Sequence, residues 1–188
     1  MVQSITILWM ILEAGGSLLA AWKARSPALI AFGGDSLVEL LSASVVLWRF
    51  STLTLQERAE RAAARTAGIL LFVLGAYVTL GSAMTLLGYN QPRPSPLGIA
   101  VLVAASIVMP WLAKEKRRLS IVTGSAALRA DAAQSNLCAY LAVVALAGLT
   151  VNAIWQIAWA DPIAALAVVP LIGYEGVEAM RGKPCGCG

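Results

Sequence analysis

The chain has 188 residues, of which 59% are hydrophobic and 13% are charged, and its mean hydropathy is +0.77. This composition excludes a soluble globular protein and indicates an integral membrane protein. The net charge of +4 comes from basic residues near the ends of apolar segments, without stacking aromatic residues among them. We therefore expect attraction to anionic membrane lipid and no nucleic-acid partner.

Six apolar segments follow one another, each of about the 17–25 residues that a membrane-spanning helix needs. They lie at residues 4–22, 28–48, 66–88, 97–113, 125–148 and 157–178. Pro27 is expected to begin the second helix. The loops are too short to hold a soluble domain. The sequence predicts an all-α, multi-pass membrane protein, with a six-transmembrane-helix bundle over residues 1–180 and a short cytoplasmic, cysteine-containing tail at 181–188.

The second segment carries two acidic residues, Asp35 and Glu39, in an otherwise apolar stretch. A carboxylate costs roughly 2.5–3.5 kcal/mol at the centre of a bilayer on insertion scales. Residues four apart in a helix point the same way, so the pair has the geometry of a cation or proton site. The structural alternatives are an ion pair with Arg129 or protonated, hydrogen-bonded carboxyl groups. Glu13 in the first segment lines the same cavity or hydrogen-bonds within the bundle.

Lysine and arginine are distributed unevenly over the connections between segments. Ten of them lie after the second and fourth segments and in the tail, against three on the opposite side. By the positive-inside rule, both termini are expected in the cytoplasm, with the chain in the cell (inner) membrane. The basic run at residues 114–118 is expected to anchor the cytoplasmic surface.

Polar residues return in the fifth segment, which contains Asp131, Gln134 and Cys138. Gln134 and Cys138 share a helix face, and the segment midpoints place them at the depth of Asp35 and Glu39. Two helices that each offer such a pair can close a four-ligand tetrahedron, the arrangement that zinc prefers. The chain has no histidine, so carboxylate, thiolate, amide and carbonyl groups are the available ligands.

Each polar residue of this region also has an alternative interpretation. Cys138 taken alone is a small buried apolar residue. Gln134 offers a carbonyl oxygen, a weak ligand for zinc, or it orients Asp131 or a water molecule. Asp131 is a substitute ligand or a proton relay, or it pairs with Arg129. Asp161, at the head of the sixth segment, is expected to cap that helix.

Three motifs, in order and on the expected helices, resemble those of the cation diffusion facilitator family. They are Asp35-Ser-Leu-Val-Glu39, then Arg129-Ala-Asp-Ala-Ala-Gln134 followed by Cys138, and Ala160-Asp-Pro-Ile-Ala164. The similarity covers essentially all six segments. The resemblance implies a homodimeric, proton-coupled exporter of divalent metal, usually zinc, that works by alternating access. It also implies a transport site formed by Asp35, Glu39, Gln134 and Cys138.

The chain departs from the family's pattern in its site and in its length. The second position of the site is most often Asp and here is Glu39. The fifth-helix pair is typically His or Asp followed by Asp, and here is Gln134 and Cys138. The resemblance further implies a short member that lacks the family's cytoplasmic metal-binding domain. A thiolate beside carboxylates favours zinc, cadmium or cobalt over magnesium or calcium as cargo, and no prosthetic group is expected.

The leading interpretation is therefore a heavy-metal transporter and not an enzyme. The alternative is a non-transporting subunit or modulator that partners a full-length transporter. A membrane thiol oxidoreductase is disfavoured because the chain has no Cys-x-x-Cys pair. The tail cysteines, Cys185 and Cys187, either capture thiophilic metal for delivery or belong to an unstructured tail.

Overall fold

The computed structural model describes residues 2–51, 57–123 and 126–181. This part of the chain forms six α-helices and contains no strand. The helices are α1 (Val2–Ala24), α2 (Pro27–Ser51), α3 (Glu57–Leu86), α4 (Pro96–Thr123), α5 (Ala126–Trp155) and α6 (Ala160–Arg181). The tail cysteines and the side chain of Arg129 lie outside the described residues.

Five of the six helices are long and apolar enough to cross a membrane by length and composition. The candidate spans are Ile5–Ala24, Arg65–Leu86, Pro96–Val122, Asp131–Trp155 and Ala160–Arg181. The remaining helix, α2, has 25 residues, which is also enough to cross a bilayer. Large apolar side chains such as Leu19, Ile107 and Val122 are exposed on the outer faces, as expected where helices face lipid. The prediction of an all-α, multi-pass membrane bundle is confirmed.

Several helices extend beyond the segments that hydropathy marks, and α4 and α5 do so by the most at their C-terminal ends. α4 continues to Thr123, although its apolar segment ends near residue 113. The added residues include Lys, Glu and Arg, which interrupt the hydropathy but form helix readily. α5 continues to Trp155, and a residue with positive φ, Gln156, follows it. The longer α4 brings Lys116 into the bundle.

α2 lies at the centre of the bundle, where it packs against α1, α3, α5 and α6. α4 packs on α5 and on α1, and α3 packs closely on α6. Glycines allow the close approaches: a Cβ at Gly68 of α3 would lie 2.8 Å from the carbonyl oxygen of Gly176 in α6. A Cβ at Gly148 of α5 would overlap Ala164 of α6. This packing encloses an interior between α1, α2, α4 and α5.

Hydrogen bonds tie together the first turns of α2 and α6. The hydroxyl of Ser26 accepts the N–H of Leu29 at 3.1 Å and so caps α2. The same hydroxyl donates to Oδ1 of Asp161 at 2.7 Å. Asp161, expected to cap α6, lies in the first turn of that helix and directs its carboxyl group to the start of α2.

Candidate functional site

Apart from Asp161, five acidic side chains from four helices lie in the interior of the bundle, and we call them the acidic cluster. They are Glu13, Asp35, Glu39, Asp131 and Glu175. The side chain of Asp131 is 10% exposed, and the other four residues are less exposed. Among the described residues, one basic side chain, that of Lys116, is buried with them. Such an excess of carboxyl groups in an apolar interior requires protons or cations to balance it.

The first part of the cluster joins α1, α2 and α5 around Glu13. The hydroxyl of Ser36 donates to Oε1 of Glu13 at 2.9 Å, and Sγ of Cys138 lies 3.4 Å from the same oxygen. Ser36 and Cys138 are themselves 3.8 Å apart. Of the two interpretations of Glu13, hydrogen bonding within the bundle is therefore observed. The thiol of Cys138 is fully buried and next to a carboxyl group.

The second part joins α2, α4 and α5 around Lys116. Nζ of Lys116 donates to Oγ of Ser135 at 2.8 Å and lies 3.0 Å from Oδ2 of Asp131. The hydroxyl of Ser135 donates in turn to Oε1 of Glu39 at 3.2 Å. Asp131 thus pairs with a lysine of another helix, a partner that the sequence interpretation did not consider.

The third part is a contact between two carboxyl groups, those of Asp35 in α2 and Glu175 in α6. Both residues are buried, and their carboxyl groups lie close enough to affect each other electrostatically. Two ionised carboxylates repel in a buried site, so their proximity favours a proton on one of them. The pair offers a place between α2 and α6 where one proton could be shared by two carboxyl groups.

The predicted transport-site residues lie on the expected helices, but their contacts differ from the predicted ones. The inward face of α5 carries Asp131, Ser135 and Cys138, and it is Ser135 that reaches Glu39. Gln134 is half-buried. In residues 2–51, 57–123 and 126–181, no three His, Cys, Asp or Glu side chains are grouped so that they could hold a metal ion. The four-residue ligand set stays a prediction.

Four polar residues of the site were not predicted from the sequence to belong to it: Ser36, Lys116, Ser135 and Glu175. Lys116 had a signal in the sequence, because it continues the three- and four-residue spacing of buried apolar residues in α4. Those residues are Leu102, Ala105, Met109 and Leu112. Glu175 had the same signal as Asp35, an acidic residue inside an apolar segment. Ser135 shares a helix face with Asp131 and Cys138, but the sequence does not show that this face points inward, and Ser36 had no signal.

A comparison with known protein families identifies the family to which the chain belongs. The family model described as the cation efflux transmembrane domain matches residues 4–182. The matched range runs from α1 to just past the end of α6 and contains the whole acidic cluster. A comparison with curated proteins gives no match.

Proposed function

The chain belongs to the cation efflux family, and we propose that it is a transporter that exports divalent heavy-metal ions, above all zinc, in exchange for protons. The observation that supports the cargo and the coupling is the excess of buried carboxyl groups over buried basic groups among the described residues. Metal ions and protons are the two species that can balance that excess, and they compete for the same atoms.

The proposed cargo ligands are Asp35, Glu39 and Cys138, with Gln134 as a fourth. Metal binding requires that the carboxyl and thiol groups lose their protons. In this proposal one such proton is shared by Asp35 and the neighbouring carboxyl group of Glu175. Binding of a divalent ion then neutralises the ligands and favours an occluded state. On the outer side protons return to the ligands and release the ion.

The donor atoms set the expected cargo preference. A thiolate favours zinc, cadmium and cobalt, whereas magnesium and calcium favour oxygen ligands alone. The amide oxygen of Gln134 contributes less than a histidine nitrogen or a carboxylate would. We propose that cadmium and cobalt share the pathway with zinc.

Export is the proposed direction, because protons from a more acidic outer side displace the ion there. Both termini face the cytoplasm under the positive-inside rule, in the cell (inner) membrane. The chain acts as a homodimer in this proposal. Cys185 and Cys187 of two tails then offer four thiol groups that capture metal on the cytoplasmic side.

A second candidate function is that of a non-transporting subunit that partners a full-length metal transporter. It is favoured by one observation: within the described part of the chain, no three potential ligands are grouped around one position. Metal-free purified protein that copurifies with an intact transporter would support it. The two functions differ in whether this chain alone moves metal.

Transport by the purified chain decides between them. Proteoliposomes that contain a metal-sensitive dye should show zinc flux driven by a pH gradient. Asp35→Ala should abolish the flux, because it removes one ligand and the proton shared with Glu175. The control is Glu178→Gln, which alters an acidic residue of α6 that pairs with Arg181 at 3.8 Å and should leave the flux unchanged. Absence of flux in the wild type, or flux that Asp35→Ala leaves unchanged, contradicts the proposal.

A further inference from the structure

Lys116 differs from the other basic residues near the end of α4. Those residues are exposed, and they are Lys114, Arg117 and Arg118. Lys116 is 0% exposed, although its run of charges is expected to anchor the cytoplasmic surface. An ammonium group this deeply buried requires partners, and Lys116 has two on α5, the hydroxyl of Ser135 and the carboxyl group of Asp131.

Ser135 connects this ammonium group to a proposed cargo ligand. A hydroxyl group has a single proton. The Ser135 oxygen accepts from Lys116 at 2.8 Å, so its proton is directed to Oε1 of Glu39 at 3.2 Å. The other oxygen of Glu39, Oε2, is buried and has no hydrogen-bond partner within the described residues. Oε1 of Glu39 is thus bound through Ser135 to Lys116, and Oε2 is left for a cation.

A purely structural ion pair does not account for this placement. A buried salt bridge adds little net stability, and apolar residues often replace it without loss. α4 and α5 already pack through buried apolar side chains, among them Met109 and Leu141. The charge of Lys116 has a further consequence, because a cation bound at Glu39 would be repelled by an ammonium group two hydrogen bonds away. Water screens this repulsion weakly in a buried site.

We propose that Lys116 is a tethered counter-cation of the transport site. In the absence of cargo its ammonium group balances Asp131 directly and Glu39 through Ser135. With cargo bound it weakens the hold of the site on the ion and so speeds release. Lys116 is a positioning residue that does not touch the cargo, and its role requires its charge but no change in its protonation. The inference rests on the proposed function, since it concerns the same cargo site.

The test measures zinc binding by the purified full chain and zinc flux in proteoliposomes. Lys116→Gln keeps hydrogen bonding to Ser135 and removes the charge, and we expect its Kd for zinc to fall by about tenfold or more. Its KM and kcat for transport should fall together, because an ion held more tightly leaves more slowly. Lys116→Arg keeps the charge and should retain a Kd within about threefold of the wild type. The matched control is Lys114→Gln, an exposed lysine two residues away on α4, which should leave the Kd unchanged.

The outcomes separate this inference from the proposed function. An unchanged or weaker affinity in folded Lys116→Gln overturns it, and so does an equal effect of Lys114→Gln. If Lys116→Gln does not fold, Ser135→Ala breaks the bridge to Glu39 with a small side chain, and zinc should bind about threefold more tightly. Unchanged or weaker binding in Ser135→Ala then overturns the inference. A wild-type chain that binds no zinc contradicts the proposed function itself, and with it this role for Lys116.

Discussion

At the scale of single residues, each part of the acidic cluster contacts a different kind of chemical group. Glu13 faces a hydroxyl and a thiol, Asp131 faces an ammonium group, and Asp35 faces another carboxyl group. These contacts give the three parts different chemical properties. The Asp35 part is proposed to share a proton with Glu175, the Asp131 part lies beside the ammonium group of Lys116, and the Glu13 part contains the soft sulfur atom of Cys138. Selectivity among metals is therefore expected to depend on Cys138.

Cys138→Ser tests the contribution of that sulfur atom. Serine keeps a donor for Glu13 but replaces the soft ligand with a hard one, so we expect the affinity for cadmium to fall by roughly tenfold or more. The affinity for zinc, which accepts oxygen ligands more readily, should fall less. Competition binding with both ions on the same preparation measures the ratio. An unchanged ratio of cadmium to zinc affinity would show that Cys138 is not a ligand.

At the scale of helices, the sequence predicts the number of elements and their starts better than their ends. α2 begins at Pro27, as its proline predicts. The end of α4 was not predicted, because hydropathy falls at residue 114 while the helix continues to Thr123. Hydropathy reports transfer to lipid, whereas helix continuation depends on backbone hydrogen bonds and propensity. For this reason the hydropathy of the sequence did not predict that Lys116 belongs to α4 and lies inside the bundle.

The face of α5 shows a second limit of prediction from sequence. The spacing of Gln134 and Cys138 places them on one face, and the spacing of Asp131, Ser135 and Cys138 places these three on a face as well. The sequence alone cannot choose between the two faces, because the rotation of α5 is set by its packing against α4 and α6. Gly148 is part of that packing, where a Cβ would overlap Ala164. The acidic residues of the site could be predicted from the sequence, but their partners could not.

Gly148→Ala tests whether this close packing holds α5 in place. The added methyl group overlaps Ala164 of α6, so we expect a lower Tm in detergent and weaker zinc binding, because the inward face of α5 shifts. Overpacking of this kind costs about 1–3 kcal/mol. The matched control is Gly173→Ala on α6, where an added Cβ has no neighbour within 4 Å. There the gain in helix propensity, about 1 kcal/mol, should keep or raise the Tm. Equal effects of the two substitutions would contradict the role given to Gly148.

At the scale of the whole molecule, the central position of α2 connects the three parts of the site. α2 carries Asp35, Ser36 and Glu39, and it packs against α1, α3, α5 and α6. A movement of α2 relative to its neighbours therefore changes the contact with Glu175, the bonds to Glu13 and the link to Lys116 at once. Such a shared element is what coupling between protons and metal requires, because both must bias the same arrangement of helices.

Proton release on metal binding tests the central claim most directly, because it measures exchange at the site without requiring transport. Calorimetric titration of zinc into the purified chain, repeated in buffers of different ionisation enthalpy, gives the number of protons released per ion. We predict about one to two protons per zinc at neutral pH, and fewer for Asp35→Asn, because asparagine has no carboxyl proton to release. Zinc binding without proton release, or release that Asp35→Asn leaves unchanged, would contradict the account.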